Sequence, residues 1–472
     1  MKAIIRMTLA AAAITLSVTA SAQNSNSSYF MEGALNRHMA NPAFAPQQSY
    51  VAMPALGNLN VGVSSNFNIG DVFFQRNGKT VTFLHPDVSV ADALSGFEDN
   101  NKFRTDINIQ LLGVGFKAFG GFNTITVNAR TMAGFQMPYD LFAIAKNLEN
   151  RNYDIGEASV FAQSFAEIAL GHSRQITEDL RVGAKAKVLL GIARGKAELT
   201  DLKLNLADDN QWTATAHAKM EANMKGLKIT EKKEDYKQDG KAPYTTIDDF
   251  DADDFKPIGG FGLALDLGAE YDLKELVPGL KASLAILDLG YINWAESHVI
   301  ENNGKDFVFD GFQNIQVKDG TGKKLDDQAD EMVDKLTDLY RLENKGDQGS
   351  NSYGIGTTLN VGVEYALPFY EQVRVGLLSS TRIQKDFGWN EERLSVNYAP
   401  AHWFEMNVNG ALGTFGPSFG WMLNVHPVGF NFYLAMDRTL GKVSKEFAPM
   451  NKGTQVSMGI NFPLQSARKK SY

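Results

Sequence analysis

Along most of this chain, apolar and polar residues alternate one for one. Leu59, Val61, Val63, Phe67 and Ile69 share one parity, while Asn60, Gly62, Ser64, Asn66 and Asn68 hold the other. Val182, Ala184, Ala186, Val188 and Leu190 alternate with Arg181, Gly183, Lys185 and Lys187. Phe261, Leu263, Leu265, Leu267 and Ala269 alternate with Gly262, Asp266, Gly268 and Glu270, and Leu359, Val361, Val363 and Tyr365 with Asn360, Gly362 and Glu364. The same pattern recurs at Phe419–Val425 and Val456–Phe462. Side chains of a strand point to opposite faces in turn, so each segment predicts a strand with one greasy and one wet face. The segments run roughly 10–14 residues, longer than the ~5–6 of an ordinary strand and enough for a tilted bilayer crossing of about 9–11.

The connections alternate as well. Short ones fall at Gly120-Gly121, Thr177-Glu178-Asp179, Lys274 to Gly279, Leu367 to Gln372 and His426-Pro427-Val428-Gly429; long ones fall near 134–158, 231–257, 295–352 and 438–453. Short turns on one side and long loops on the other are the layout of an outer-membrane barrel. Backbone groups in hydrocarbon must all be paired, which a sheet achieves only by closing on itself. Counting strands by their alternation gives about sixteen. Two stretches break the period. Residues 23–57 lack alternation and contain Asn41-Pro42-Ala43-Phe44, which reads either as a plug inside the barrel or as a loose leader. Leu325, Ala329, Met332, Val333, Leu336, Leu339 and Tyr340 fall on one helical stripe, predicting a helix over 325–344 in the longest loop. That helix would cap the rim or, on a sharper reading, line an entrance for a greasy ligand.

The first residues add a compartment. Lys2 and Arg6 precede an apolar run from Met7 to Val18, and Ala20-Ser21-Ala22 follows. This is the layout of a secretory signal over 1–22, with cleavage before Gln23, and the run is shorter than the ~20 residues of a spanning helix. Removing Lys2 and Arg6 takes the formal charge from −8 to −10, which leaves no footprint for nucleic acid. The chain has no cysteine, hence no lipid attachment, disulfide or thiolate chemistry. Residues 465–472 form a basic tail.

Catalytic patterns fail on context. Gly416-Pro417-Ser418-Phe419-Gly420 matches the nucleophile-elbow string, but an alternating strand follows where the elbow needs a helix. The seven histidines show no pair at metal-ligand spacing. Asp249, Asp251 and Asp253 have a calcium-loop rhythm, yet Asp254 stands where that loop needs glycine and no Glu closes it, so a solvated loop is expected. Neither an enzyme nor a cofactor is expected. The candidate lumen-facing residues are Arg181, Lys185, Lys187, Asp266, Glu270 and Glu364.

With Asn41-Pro42-Ala43-Phe44 ahead of a long train of strands, and with Ala285-Ile286-Leu287-Asp288-Leu289-Gly290-Tyr291-Ile292-Asn293-Trp294 within it, the chain resembles FadL-like outer-membrane proteins. More narrowly, it resembles a Bacteroidota group of unknown function built on that barrel. The resemblance implies fourteen strands, a hatch over 23–57 and a barrel over 58–464, and it places the excess of the strand count at 197–232, as charged hairpins above the membrane. It also implies a passive channel for small hydrophobic compounds such as fatty acids or aromatics. A second implied role is a structural or secretion-apparatus barrel that transports nothing. The expected partners are outer-membrane lipid, a small hydrophobic ligand, and envelope or secretion proteins.

Overall fold

The computed structural model describes residues 26–207, 211–238, 240–302, 304, 306–310, 325–385, 387–439 and 451–464. The signal segment 1–22, its cleavage point, the tail 465–472 and most of the loop 438–453 lie outside these residues. Fourteen antiparallel strands form the wall. The first, β1, has two pieces, Tyr50–Ala52 and Leu59–Ser65. There follow β2 (Asn100–Ala118), β3 (Gly121–Pro138), β4 (Asn152–Gln175), β5 (Leu180–Asn205), β6 (Gly260–Asp272) and β7 (Leu280–Trp294). β8 again has two pieces, Asn351–Gly354 and Thr357–Ala366. β9 (Val373–Ile383), β10 (Trp389–Ala401), β11 (Phe404–Gly413), β12 (Ser418–Val425), β13 (Asn431–Arg438) and β14 (Gly453–Pro463) complete it. Each strand pairs with its neighbours in wall order, and β14 pairs with both pieces of β1, so the sheet closes. Among the described residues no helix is long and apolar enough to cross a membrane; the crossing is made by strands.

The two faces follow the alternation. On β6, Phe261, Leu263, Leu265 and Leu267 are exposed outward, while Ala264 and Asp266 are buried inward. On β5, Ala184 and Ala186 face out, whereas Lys185 and Lys187 are buried in the lumen. An apolar exterior around a charged interior reverses the arrangement of a protein in water, and it is the arrangement hydrocarbon requires.

The count of about sixteen exceeds the wall by two, and the surplus lies above the membrane. The lower half of β5 pairs with β6, but from Arg194 to Asn205 it pairs with a strand at Trp212–Asn223. The chain then forms a hairpin, Lys228–Glu234 with Tyr244–Asp251, and returns to the wall only at Gly260. A hydrogen-bonded strand standing above the bilayer has the same period of two, so alternation cannot separate it from a wall strand. Short strands at His298–Asn302 and Leu342–Asp347 extend this outer sheet.

Among the described residues three helices stand off the wall: α1 (Val90–Leu94), α2 (Tyr139–Lys146) and α3 (Leu325–Tyr340). α1 and α2 carry no long stripe that the sequence pattern could expose. They enclose a phenylalanine cluster in which Phe97 and Phe142 stack with centroids 4.0 Å apart. α3 ends at Tyr340, before the expected 344, because Leu342–Asp347 joins the outer sheet. From Asp327 to Tyr340 its apolar side chains are only half-covered, and the buried residues are Asp334 and Thr337. The Asp334 carboxylate accepts the backbone N–H groups of Lys237 (2.7 Å) and Gln238 (3.0 Å), so α3 holds the tip of the hairpin.

Leu265 lies near the middle of the outward apolar face. Leu265→Arg is expected to destabilise the barrel by about 2–4 kcal/mol, as a charge near the bilayer midplane does. Urea unfolding in phospholipid bilayers measures this, and an unchanged midpoint would contradict the lipid-facing assignment.

Candidate functional site

The chain before β1 folds inside the barrel. Two 3₁₀ turns, Asn26–Ser28 and Arg37–Met39, shape it, and almost every residue from Ser27 to Phe44 is buried. No regular ladder satisfies its backbone; its own turns pair some groups, such as the Met31 N–H with the Ser28 carbonyl (3.1 Å), and wall side chains take up others. Lys185 donates to the His38 carbonyl (2.5 Å), Asn360 to that of Ala40 (3.0 Å) and Ser173 to that of Ala43 (3.0 Å). Glu405 accepts the N–H of Gly33 (3.0 Å), and Asp437 accepts those of Asn26 (2.7 Å) and Ser27 (2.8 Å). Glu32 forms ion pairs with Arg374 (2.6 Å) and Lys281 (3.0 Å). Buried backbone polar groups need such partners. These come from strands all around the wall, so the hatch is fastened on every side.

Asn41-Pro42-Ala43-Phe44 is the seat of this hatch. The Asn41 side chain accepts the Ala43 N–H (2.9 Å) and donates to the carbonyls of Ala269 (3.2 Å) and Leu284 (3.3 Å) on β6 and β7. Opposite it, Gly183 and Gly268 are cross-strand partners. A Cβ on Gly268 would stand 2.0 Å from the Asn41 Oδ1, and one on Gly183 would stand 2.2 Å from the Pro42 carbonyl oxygen. The glycine pair is therefore the recess into which Asn41-Pro42 fits. Phe44 is buried beside Tyr29, with centroids 5.0 Å apart, and carries the Arg37 guanidinium over its ring at 4.3 Å.

Above the hatch lies a buried charge network. Arg130 binds Asp288 through two hydrogen bonds (2.8 and 2.7 Å) and Glu167 through a third (2.7 Å). Lys187 reaches Asp288 and Asp266, both at 2.7 Å, and Arg382 lies 3.7 Å from Asp288. The enclosed cavity between them measures about 50 Å³, room for a few waters. Of the six lumen-facing candidates, this network gathers Lys187 and Asp266, with Lys185 at its edge on the hatch. Glu364 is buried lower down, 3.7 Å from Arg374. Arg181 and Glu270 are half-buried and face each other across the β5–β6 ladder at the short-turn end. Arg130, Glu167, Asp288 and Arg382 were not among the candidates, although all are charges inside otherwise alternating strands.

Higher still, the lumen turns apolar. Phe165, Leu189, Ile292, Trp294 and Ile355 are fully buried together, with Tyr353 and Phe387 against them. Over this floor opens a cavity of about 560 Å³ whose walls include Phe161, Tyr353, Phe387, Arg194, Lys219 and Lys385. The Arg194 guanidinium lies over the Tyr353 ring at 3.6 Å. Gly290, Gly354 and Gly356 form part of the same cavity's wall, where the sheet is broken. Between the two pieces of β8, Ile355 and Gly356 leave the ladder, and the β6–β7 register slips between Leu265 and Leu267. Asp288 sits there with φ +60°, a left-handed conformation that Asp tolerates better than most residues. Its N–H, lost to the ladder, donates to Asp266 at 2.7 Å.

Among the described residues no group of three or more His, Asp or Glu side chains is placed to hold a metal. The acidic run Asp248–Asp254 closes the outer hairpin, where the Lys228 ammonium, hydrogen-bonded to Asp254, holds that carboxyl below the usual carboxylate range.

A closed wall with an apolar outside, a charged inside and a lumen filled by the N-terminal segment defines an outer-membrane β-barrel with a hatch. The profile of a family of unknown function, DUF5723, matches residues 42–437, and the chain belongs to that family. No match was found among curated proteins. Among solved structures, the chain is similar to a Pseudomonas aeruginosa FadL homologue, at 9% identity and a TM-score of 0.44 over 95% of this chain and 100% of that one. It is similar to the Ralstonia pickettii toluene transporter TbuX at 9% identity and 0.38, over 92% and 98%. It is also similar to the P. putida toluene transporter TodX at 8% identity and 0.36, over 94% of each chain. Superpositions this loose leave the chain's own geometry to define what the barrel does.

Gly268→Ala is expected to unseat the hatch. Overpacking of this kind costs roughly 1–3 kcal/mol, which corresponds to about a five- to 150-fold rise in local opening. Hydrogen–deuterium exchange of residues 26–49 should rise by that factor while β10–β12 stay protected. Unchanged exchange in the hatch would contradict the seat.

Proposed function

We propose that this protein is a passive outer-membrane channel for small hydrophobic compounds. The observation that carries the reading is the aromatic vestibule of about 560 Å³ standing against the broken part of the wall. An apolar solute gains by leaving water for Phe161, Tyr353 and Phe387. Straight down, its way is barred by the apolar floor, then by a charge network that would have to be stripped of its partners, then by the hatch. Sideways, the vestibule wall is thin at Gly290, Gly354 and Gly356, and the ladder is already interrupted there. Entry from outside and exit through the wall into the membrane is the route of least desolvation. The rim sets Arg194, Lys196, Lys219 and Lys385 against Glu198 and Glu221, and this modest basic excess suits a solute with one anionic end as well as a neutral one. In keeping with the sequence resemblance, we assign the chain to the Bacteroidota form of this barrel, exported by residues 1–22 with cleavage before Gln23.

The outer sheet supports a second reading. The strand at Trp212–Asn223, the hairpin above it and α3 make a hydrogen-bonded platform outside the membrane. A non-transporting barrel would offer such a platform to an envelope or secretion protein. The two readings separate in one comparison. Deleting the gene should lower cellular uptake of long-chain fatty acids or of aromatic hydrocarbons severalfold. Unchanged uptake in both classes, together with a stoichiometric partner cross-linked to the platform, would replace the channel with the scaffold.

A further inference from the structure

We propose that all six short turns of the barrel lie in the headgroup layer of the inner leaflet, as apolar anchors rather than as water-exposed loops. Turns that face water favour Gly, Asn, Asp, Ser and Pro. Here every turn at this end also presents a large apolar side chain: Phe119, Ile176, Leu276, Phe369, Trp403 and Val428, between 46% and 82% exposed. None is needed for the bend itself. Phe119 and Gly120 form the two-residue turn between β2 and β3 with φ +56° and +72°. Left-handed backbone is unfavourable for an aromatic residue, and Asn would occupy that position with less strain. An aromatic there, almost fully exposed, has its use outside the protein.

Strand length fixes what it meets. β12 and β13 have eight residues each. At ~3.3 Å per residue and a tilt of ~40°, such a strand climbs about 20 Å, short of an apolar belt of about 25 Å. At the outer end β12 already begins on Ser418 and β13 runs on into Thr439, hydroxyl side chains that do not suit hydrocarbon. At the short-turn end it offers Val428 and Phe430, both exposed. The belt is completed only by taking the turn into the membrane. The same turns carry Glu178, Lys274, Glu275 and Glu371, charges that exclude the hydrocarbon core itself. Apolar and charged side chains side by side at one level match the interface, where rings sit among headgroups and long charged chains reach water. The occupant of this rim is therefore phospholipid, continuous with the lipid already facing β12 and β13, and not a second protein.

The absence of cysteine makes the test clean. Phe369→Cys and Val428→Cys, with Asp253→Cys in the outer loop as a water-exposed reference, are labelled with bimane in the full-length barrel, whose folding is checked by heat-dependent gel mobility. The barrel is placed in phosphatidylcholine vesicles with or without a lipid bearing a nitroxide near the headgroup. The labels at 369 and 428 should be quenched by the nitroxide lipid, and iodide should quench them at least threefold less than the label at 253. If either label is quenched by iodide as strongly as that at 253 and is untouched by the nitroxide lipid, the rim stands in water and the proposal falls.

Discussion

One constraint organises this molecule: a backbone group that faces hydrocarbon must find its partner within the protein. A sheet meets that demand only by closing, and closing fourteen strands encloses a wide lumen. Everything inside is a consequence of that enclosed space. It is filled in three layers, with the hatch at the short-turn end, a charge network in the middle and an apolar floor beneath the outer vestibule. Where the wall departs from ideal pairing, between β6, β7 and the two pieces of β8, the lost partners are replaced at once, by the Asp266 carboxylate for Asp288 and by the Arg382 guanidinium for the Ile355 carbonyl (2.6 Å).

The middle layer costs the most to assemble, because it takes several charges out of water. Arg130 and Lys187 are set against Glu167, Asp266 and Asp288 with short, often shared hydrogen bonds, and the Arg382 guanidinium stands 3.7 Å from Asp288. Removing one member of such a network leaves its partners uncompensated, which is more damaging than the pair's net worth suggests. The network therefore acts as a rigid collar. Lys185, at its edge, joins it to the hatch through the His38 carbonyl, and Asp288 joins it to the break in the wall. The three layers are one connected structure.

Much of the wall was legible in the sequence. The parity of Lys185, Lys187 and Asp266 put them in the lumen, and that of Ala184, Leu263 and Leu265 put them outside. The rule fails at Leu189, Ile292 and Ile355, apolar residues that face inward because they pack against each other and meet no lumen water. It also cannot say at what height a strand stands, and Trp212–Asn223 inflated the count for that reason. The hatch has no period to read. Its path is set one hydrogen bond at a time by wall residues hundreds of positions away. The clue to its seat was the pair of glycines at 183 and 268, which the alternation shows only as wet-face residues. The exact break in β8 had no signal beyond Gly354 and Gly356.

A closed wall whose lumen is filled by the hatch, the charge network and the apolar floor should leave no continuous aqueous path. Single-channel recording of the intact protein in a planar bilayer tests it most directly. The expected result is no steady ionic current above that of the bare bilayer. A steady current proportional to voltage, carried by the unmodified chain, would contradict it.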